Sequence, residues 1–116
     1  MEAIFDRTGA CVGWINNKHI LDRSNRYVGF IDNKSVFSMQ GQYLGRFEGG
    51  IFRDKAGVAV AFIAGATGGP ILPIPSIPPI PPIPPIPPIP PIPPISPITP
   101  ISSLGWGEAW IDFLLG

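Results

Sequence analysis

Residues 4–31 read IFDRTGACVGWINNKHILDRSNRYVGFI, and residues 20–31 of that stretch repeat residues 4–15 at an offset of 16. Asp6-x-x-Gly9 returns as Asp22-x-x-Asn25, Val12-Gly13-Trp14-Ile15 as Val28-Gly29-Phe30-Ile31, and Ile4 as Ile20. Further along, Ser38-x-x-Gly41 and Asp54-x-x-Gly57 carry the same turn, preceded by Val36 and Phe52 and followed by Leu44-Gly45-Arg46-Phe47 and Val60-Ala61-Phe62-Ile63. Asp or Ser at the first turn position caps the turn through its side chain. Gly or Asn at the fourth accepts positive φ, which suits a type I turn with a bulge. The links Asn16-Asn17-Lys18, Asp32-Asn33-Lys34 and Glu48-Gly49-Gly50 are polar or glycine-rich and read as tight turns. Each unit is therefore a hairpin of two short strands.

Eight such strands make a meander, and closing it removes both unpaired edges. The fold expected is all-β: a closed eight-stranded meander of four 16-residue hairpin repeats with fourfold pseudo-symmetry, over residues 1–69. Gly13, Gly29, Gly45 and Ala61 form a column without side-chain bulk, where strands bend or approach closely, or where a cavity opens. A propeller is excluded, since its blades need four strands and about 40 residues each. All 17 prolines follow Gly69, so the core-forming part is near the lower limit for independent folding.

Residues 70–101 form a second unit. From Ile71 to Ile101 an isoleucine stands at every third position, with prolines filling most places between. Polyproline II has three residues per turn, so all the isoleucines align on one face. At about 3.1 Å per residue the tail spans roughly 95 Å if straight. An apolar stripe of this regularity is expected to lie on a surface: its own domain, a second copy, or a groove on another protein. The expected contact residues are Ile80, Ile83, Ile86, Ile89 and Ile92, joined by Trp106, Trp110 and Phe113.

In residues 102–116, Trp106, Trp110, Phe113 and Leu114 share one helical face, and Ser102 or Ser103 is placed to cap a short helix. That face reads as a plug on the β domain or on the isoleucine stripe. A membrane contact is less supported, because Glu108 and Asp112 are the only charges on the segment and interfacial helices carry Lys and Arg.

The repeated turns, the Val-Gly-Trp/Phe strands, Tyr43-Leu44-Gly45-Arg46-Phe47, the exit Gly65-Ala66-Thr67-Gly68-Gly69-Pro70 and the Pro-Pro-Ile tail together resemble the four-fold beta flower proteins, small bacterial domains of symmetric hairpins. The resemblance implies a shallow eight-stranded flower-like barrel and brings no activity or catalytic residue. Eight Lys and Arg balance eight Asp and Glu, which excludes a nucleic-acid footprint. Cys11 is the lone cysteine and reads as a small buried apolar residue; His19 is the lone histidine and has no visible partner. Asp6, Asp22 and Asp54 are explained by their turns, and Ser38 breaks any carboxylate ring. No enzyme, cofactor or metal is expected. Met1-Glu2-Ala3-Ile4-Phe5-Asp6 lacks the pattern of an export signal, so a cytoplasmic protein is expected. The functional expectation is a non-enzymatic interaction or assembly module that contacts a protein partner or its own copies through the tail. The alternative is a binder of a small apolar ligand or lipid, using Trp14, Phe30, Phe47 and Phe62 at the shallow centre of the flower.

Overall fold

The computed structural model describes residues 1–81, 83–89, 91, 93, 97 and 102–116. Eight antiparallel strands follow one another around a closed barrel: β1 Glu2–Phe5, β2 Cys11–Asn16, β3 His19–Asp22, β4 Tyr27–Asp32, β5 Ser35–Ser38, β6 Tyr43–Glu48, β7 Ile51–Arg53 and β8 Ala59–Phe62. A helix, α1, covers Trp110–Leu115. The ring closes at a seam where β8 meets β1 through one pair, Phe62 with Phe5.

The turns show why the repeat folds this way. At the first, the Gly9 amide donates to the Asp6 carbonyl (2.9 Å), and the Asp6 amide donates to the Ala10 carbonyl (3.0 Å). The Asp6 carboxylate accepts the amides of Thr8 and Ala10 at 2.9 and 3.2 Å. Asp22 does the same for Ser24 and Arg26, and Asp54 for Ala56 and Val58. Ser38 accepts the Gln42 amide through its hydroxyl at 3.1 Å. Gly9, Asn25, Gly41 and Gly57 take φ of 85, 63, 88 and 84°, the left-handed region this turn requires.

A bulge follows every turn. Phe5 pairs with Cys11 but Ile4 pairs with Gly13, so Val12 is an extra residue; the same shift recurs between β3 and β4, β5 and β6, and β7 and β8. Bulges raise local twist and curl the sheet. The column Ile4, Ile20, Val36 and Phe52 is fully buried in one cluster with Leu44 and Val60. The alternate column, Phe5, Leu21, Phe37 and Arg53, is also buried, on the other face of the sheet.

The glycine column serves strand approach. A Cβ at Gly29 would stand 2.7 Å from the Phe37 carbonyl oxygen, and Cβ atoms at Gly13 and Gly45 would run into the carbonyls of Leu21 and Arg53. Ala61, the fourth member, carries a methyl because it sits at the seam, where β8 and β1 share only that single pair. At Gly45 the vacated space is taken by the Phe113 ring.

The centre of the barrel is therefore filled from the C-terminus. Trp110 and Phe113 belong to the same cluster as Ile4, Ile20, Val36, Leu44 and Phe52, with Trp110 edge-on to Phe52 at 5.0 Å. The helix is shorter than its spacing suggested. It starts at Trp110 behind Ala109, with no side-chain cap, and Trp106 lies outside it in a parallel bridge with Ala59. The competing bonds are visible: the Ser103 amide donates to Gly57 (3.0 Å) and the Gly107 amide to Ala59 (2.7 Å), so this stretch pairs with the barrel rather than with itself. No helix among the described residues is long and apolar enough to cross a membrane.

Gly45→Ala is expected to destabilise the protein by about 1–3 kcal/mol, the usual cost of overpacking. Ala61→Gly should cost at most about 1 kcal/mol. Thermal unfolding followed by circular dichroism checks both, and an unchanged melting temperature for Gly45→Ala would show that β6 and β7 are not held this close.

Candidate functional site

The feature left over once the barrel is built is the proline strap. Residues 64–69 leave the sheet with Gly65 and Gly68 at positive φ, and the strap then passes around the barrel. The Ser76 amide donates to the Gly9 carbonyl at 2.8 Å. The Asn25 side-chain amide donates to the Ile83 carbonyl at 3.0 Å, and the Tyr27 hydroxyl to the Pro85 carbonyl at 2.7 Å. Pro91 packs over Gly41, where a Cβ would come within 3.1 Å of its ring. After the strap, the Ser103 amide reaches Gly57. The strap and the segment that follows it thus touch the fourth residue of all four turns in chain order, and the longest extent of the molecule is 35 Å.

Arg53 fastens both ends. It occupies the place that Phe5, Leu21 and Phe37 hold in the other repeats and is only 4% exposed. One guanidinium nitrogen, Nη1, donates to the carbonyls of Gly57 (2.8 Å) and Ser103 (2.7 Å), while Nη2 donates to Gly68 (3.0 Å). Gly68 precedes the strap and Ser103 follows it, so one side chain joins its start to its finish. Burial lowers the Arg53 pKa, the usual effect of desolvating a cation, and the nearby charge of Arg46 adds to it. The guanidinium stays charged regardless, and its fork suits several carbonyls at once.

The strap lies on the barrel, yet its isoleucines do not. Ile71, Ile74, Ile77, Ile80, Ile83, Ile86 and Ile89 are each 91–96% exposed. Of the three surfaces open to the stripe, its own domain does not cover these seven; Ile92 lies outside the described residues. The physical reason is the period of three. The carbonyls of Ile74 and Ile83, nine residues apart, both face the barrel, at Gly9 and Asn25. A register that presents those carbonyls to the barrel turns these seven isoleucine side chains away. Some prolines are turned toward the barrel: Pro73, Pro84, Pro91 and Pro93 are half-buried, the last two sharing a cleft with His19 and Phe30, while Pro75 and Pro78, though exposed, edge a cleft with Ala3 and Phe5.

The other expected contact residues are placed differently. Trp110 and Phe113 are 7% and 1% exposed inside the barrel, and Trp106 is half-buried against Phe62 at 6.1 Å. Trp110 and Phe113 are taken up by the core, and Trp106 is partly so. Of the four aromatics expected around an open centre, Phe47 alone packs against the inner cluster, 4.5 Å from Phe52. Trp14 and Phe62 belong to the outer cluster with Phe5 and Cys11, and Phe30 stacks on Phe37 at 5.3 Å. Trp14, Phe30 and Phe62 share one repeat position, whose fourth member is Arg46; Phe47 stands one residue later and so on the other face. The centre holds Trp110 and Phe113 instead of an open cup.

Polar chemistry is sparse. Asp6, Asp22 and Asp54 spend their carboxylates on turn amides. Among the described residues no group of three His, Cys, Asp or Glu is placed to hold a metal. Cys11 is buried, and His19 packs edge-on to Tyr27 at 5.3 Å. Arg46, in the aromatic column, bonds Glu48 at 2.7 Å, and Lys34 approaches the same oxygen at 3.2 Å. The hydrogen bond from Lys34, then the charge of Arg46, hold the Glu48 carboxyl below its ordinary value.

The family model for 4-fold beta flower protein matches residues 2–115. The chain belongs to that family. The match takes in the strap and the plug as well as the eight strands, so these are parts of the flower. No curated protein and no solved structure matches the chain.

Sequence reasoning missed Arg53. Its signal was a lone charge in an otherwise apolar 16-residue column, Phe5, Leu21 and Phe37 being the others. Arg53→Met is expected to remove about 1.5–3 kcal/mol for each charged hydrogen bond lost and to release both strap ends. Limited proteolysis near Gly68 and Ser103 reads this directly, and a cleavage pattern identical to wild type would contradict it. Glu48 gives a pH prediction. Its folded pKa is depressed, so its contribution is present above the unfolded value and is lost as pH falls through the folded one. Being well exposed and screened, it contributes at most about 1 kcal/mol. Denaturant unfolding of Glu48→Gln across the acid range should differ from wild type at neutral pH and converge with it below the carboxylate range.

Proposed function

We propose that this flower is a non-enzymatic interaction module whose barrel is a rigid former and whose strap presents isoleucines outward as the contact element. One observation carries the reading: seven isoleucines in register are more than nine-tenths exposed although the strap that bears them is pinned at its backbone. Fully burying an isoleucine is worth about 1.5–3 kcal/mol. Inert linkers are polar, whereas residues 70–107 contain no charged side chain. Because the strap is bonded to the barrel at Ser76, Ile83 and Pro85, a partner would have less of it to immobilise, which lowers the entropic cost of contact. The aromatic C-terminus serves the barrel's core rather than the partner. A cytoplasmic setting accords with the single cysteine, free and buried.

The test is site-specific photo-crosslinking in the producing cell. A photoreactive residue at Ile80 or Ile86 is expected to give discrete adducts, and one at Lys55, on the turn of the last repeat, none. Absence of adducts at both strap positions would contradict the proposal.

A further inference from the structure

Resting on that reading of the strap as the contact element, we propose that its occupant is a second copy of this chain, packed strap against strap. Area is the first ground. At about 25 cal/mol per Å², a burial worth 1.5–3 kcal/mol corresponds to roughly 60–120 Å² per isoleucine. The seven exposed isoleucines therefore offer on the order of 400–800 Å² before any proline is counted. Spread along a strap that bends around the barrel, this is on the scale of the largest apolar patch that monomers usually show, about 300–600 Å².

The second ground is periodicity. In an extended proline helix a three-residue repeat places isoleucine ridges about 9 Å apart, separated by Pro-Pro valleys. A copy of the chain carries that spacing by necessity, so ridges of one strap fall into valleys of the other about a twofold axis. The third ground is what the surface lacks. With no charge from residue 70 to 107, it offers a foreign protein nothing to steer by or to discriminate with. A bilayer is a poorer match, because interfacial anchoring uses Trp, Tyr, Lys and Arg. Here Trp14 and Trp110 are buried, Trp106 packs on Phe62, and the Tyr27 hydroxyl is bonded to Pro85.

Sedimentation of the full chain across the micromolar range tests this, beside a quadruple variant Ile77→Ser, Ile80→Ser, Ile83→Ser, Ile86→Ser and a single variant Ile86→Glu. The wild type is expected to show at least twice the chain mass, with a melting temperature that rises with concentration. Both variants should run as monomers with an unchanged circular dichroism spectrum, since these side chains project into solvent. Ile86→Glu keeps the test decisive if the quadruple variant misfolds. A wild type that is monomeric throughout overturns the proposal, as does a variant that keeps the wild-type mass. If that monomeric wild type still crosslinks to another protein at Ile80, the contact reading stands and self-association alone falls. Flotation of the monomer with zwitterionic vesicles would likewise replace the second copy with lipid.

Discussion

A barrel made of one thin sheet with strands of three to six residues must bury two faces, and its own hairpins can do neither completely. On the inside, the glycine column lets strands approach closely but leaves the centre without bulk; Trp110 and Phe113 supply it. On the outside, Phe5, Phe30 and their neighbours need cover, and strap prolines lie across from them. The tail is thus structural at its prolines and at its aromatic end. What remains exposed is the isoleucine face, with Leu104, Ile111 and Leu115 of the C-terminal segment.

Arg53 makes this arrangement a closed circuit. A buried cation is costly unless fully bonded, and here three backbone carbonyls satisfy it without any carboxylate. Two of them, on Gly68 and Ser103, lie at opposite ends of the strap. Between these ends the carbonyls of Ile83 and Pro85 are bonded to the barrel, and the isoleucine side chains from Ile71 to Ile89 face solvent. The repeated Asp carboxylates are engaged in their turns.

Much of the fold was legible because each repeat states it four times. Asp6-x-x-Gly9 and its successors fixed the turns and bulges, and the column headed by Ile4 fixed the inner face. Less was legible where a single residue overrides the pattern. Arg53 sits in an apolar column and was silent until its three acceptors were brought together by the fold. Phe47 was grouped with Trp14, Phe30 and Phe62 although it stands one position later, and in a strand one position is the opposite face. The C-terminal spacing pointed to a longer helix because periodicity cannot register that Ala59 and Gly57 offer free carbonyls to the same backbone. The three-residue period of the tail was legible as a stripe of isoleucines. Which way they face depended on contacts with Asn25 and Gly9, far away in sequence.

The dependence of the barrel on its own C-terminus is the claim on which the rest stands. Equilibrium urea unfolding of Phe113→Ala, compared with the unaltered chain at equal concentration, tests it most directly. A core aromatic deleted from the centre should cost about 3–5 kcal/mol. A cost below about 0.5 kcal/mol, the range of surface substitutions, would mean that Phe113 does not fill the barrel and that the flower closes without its plug.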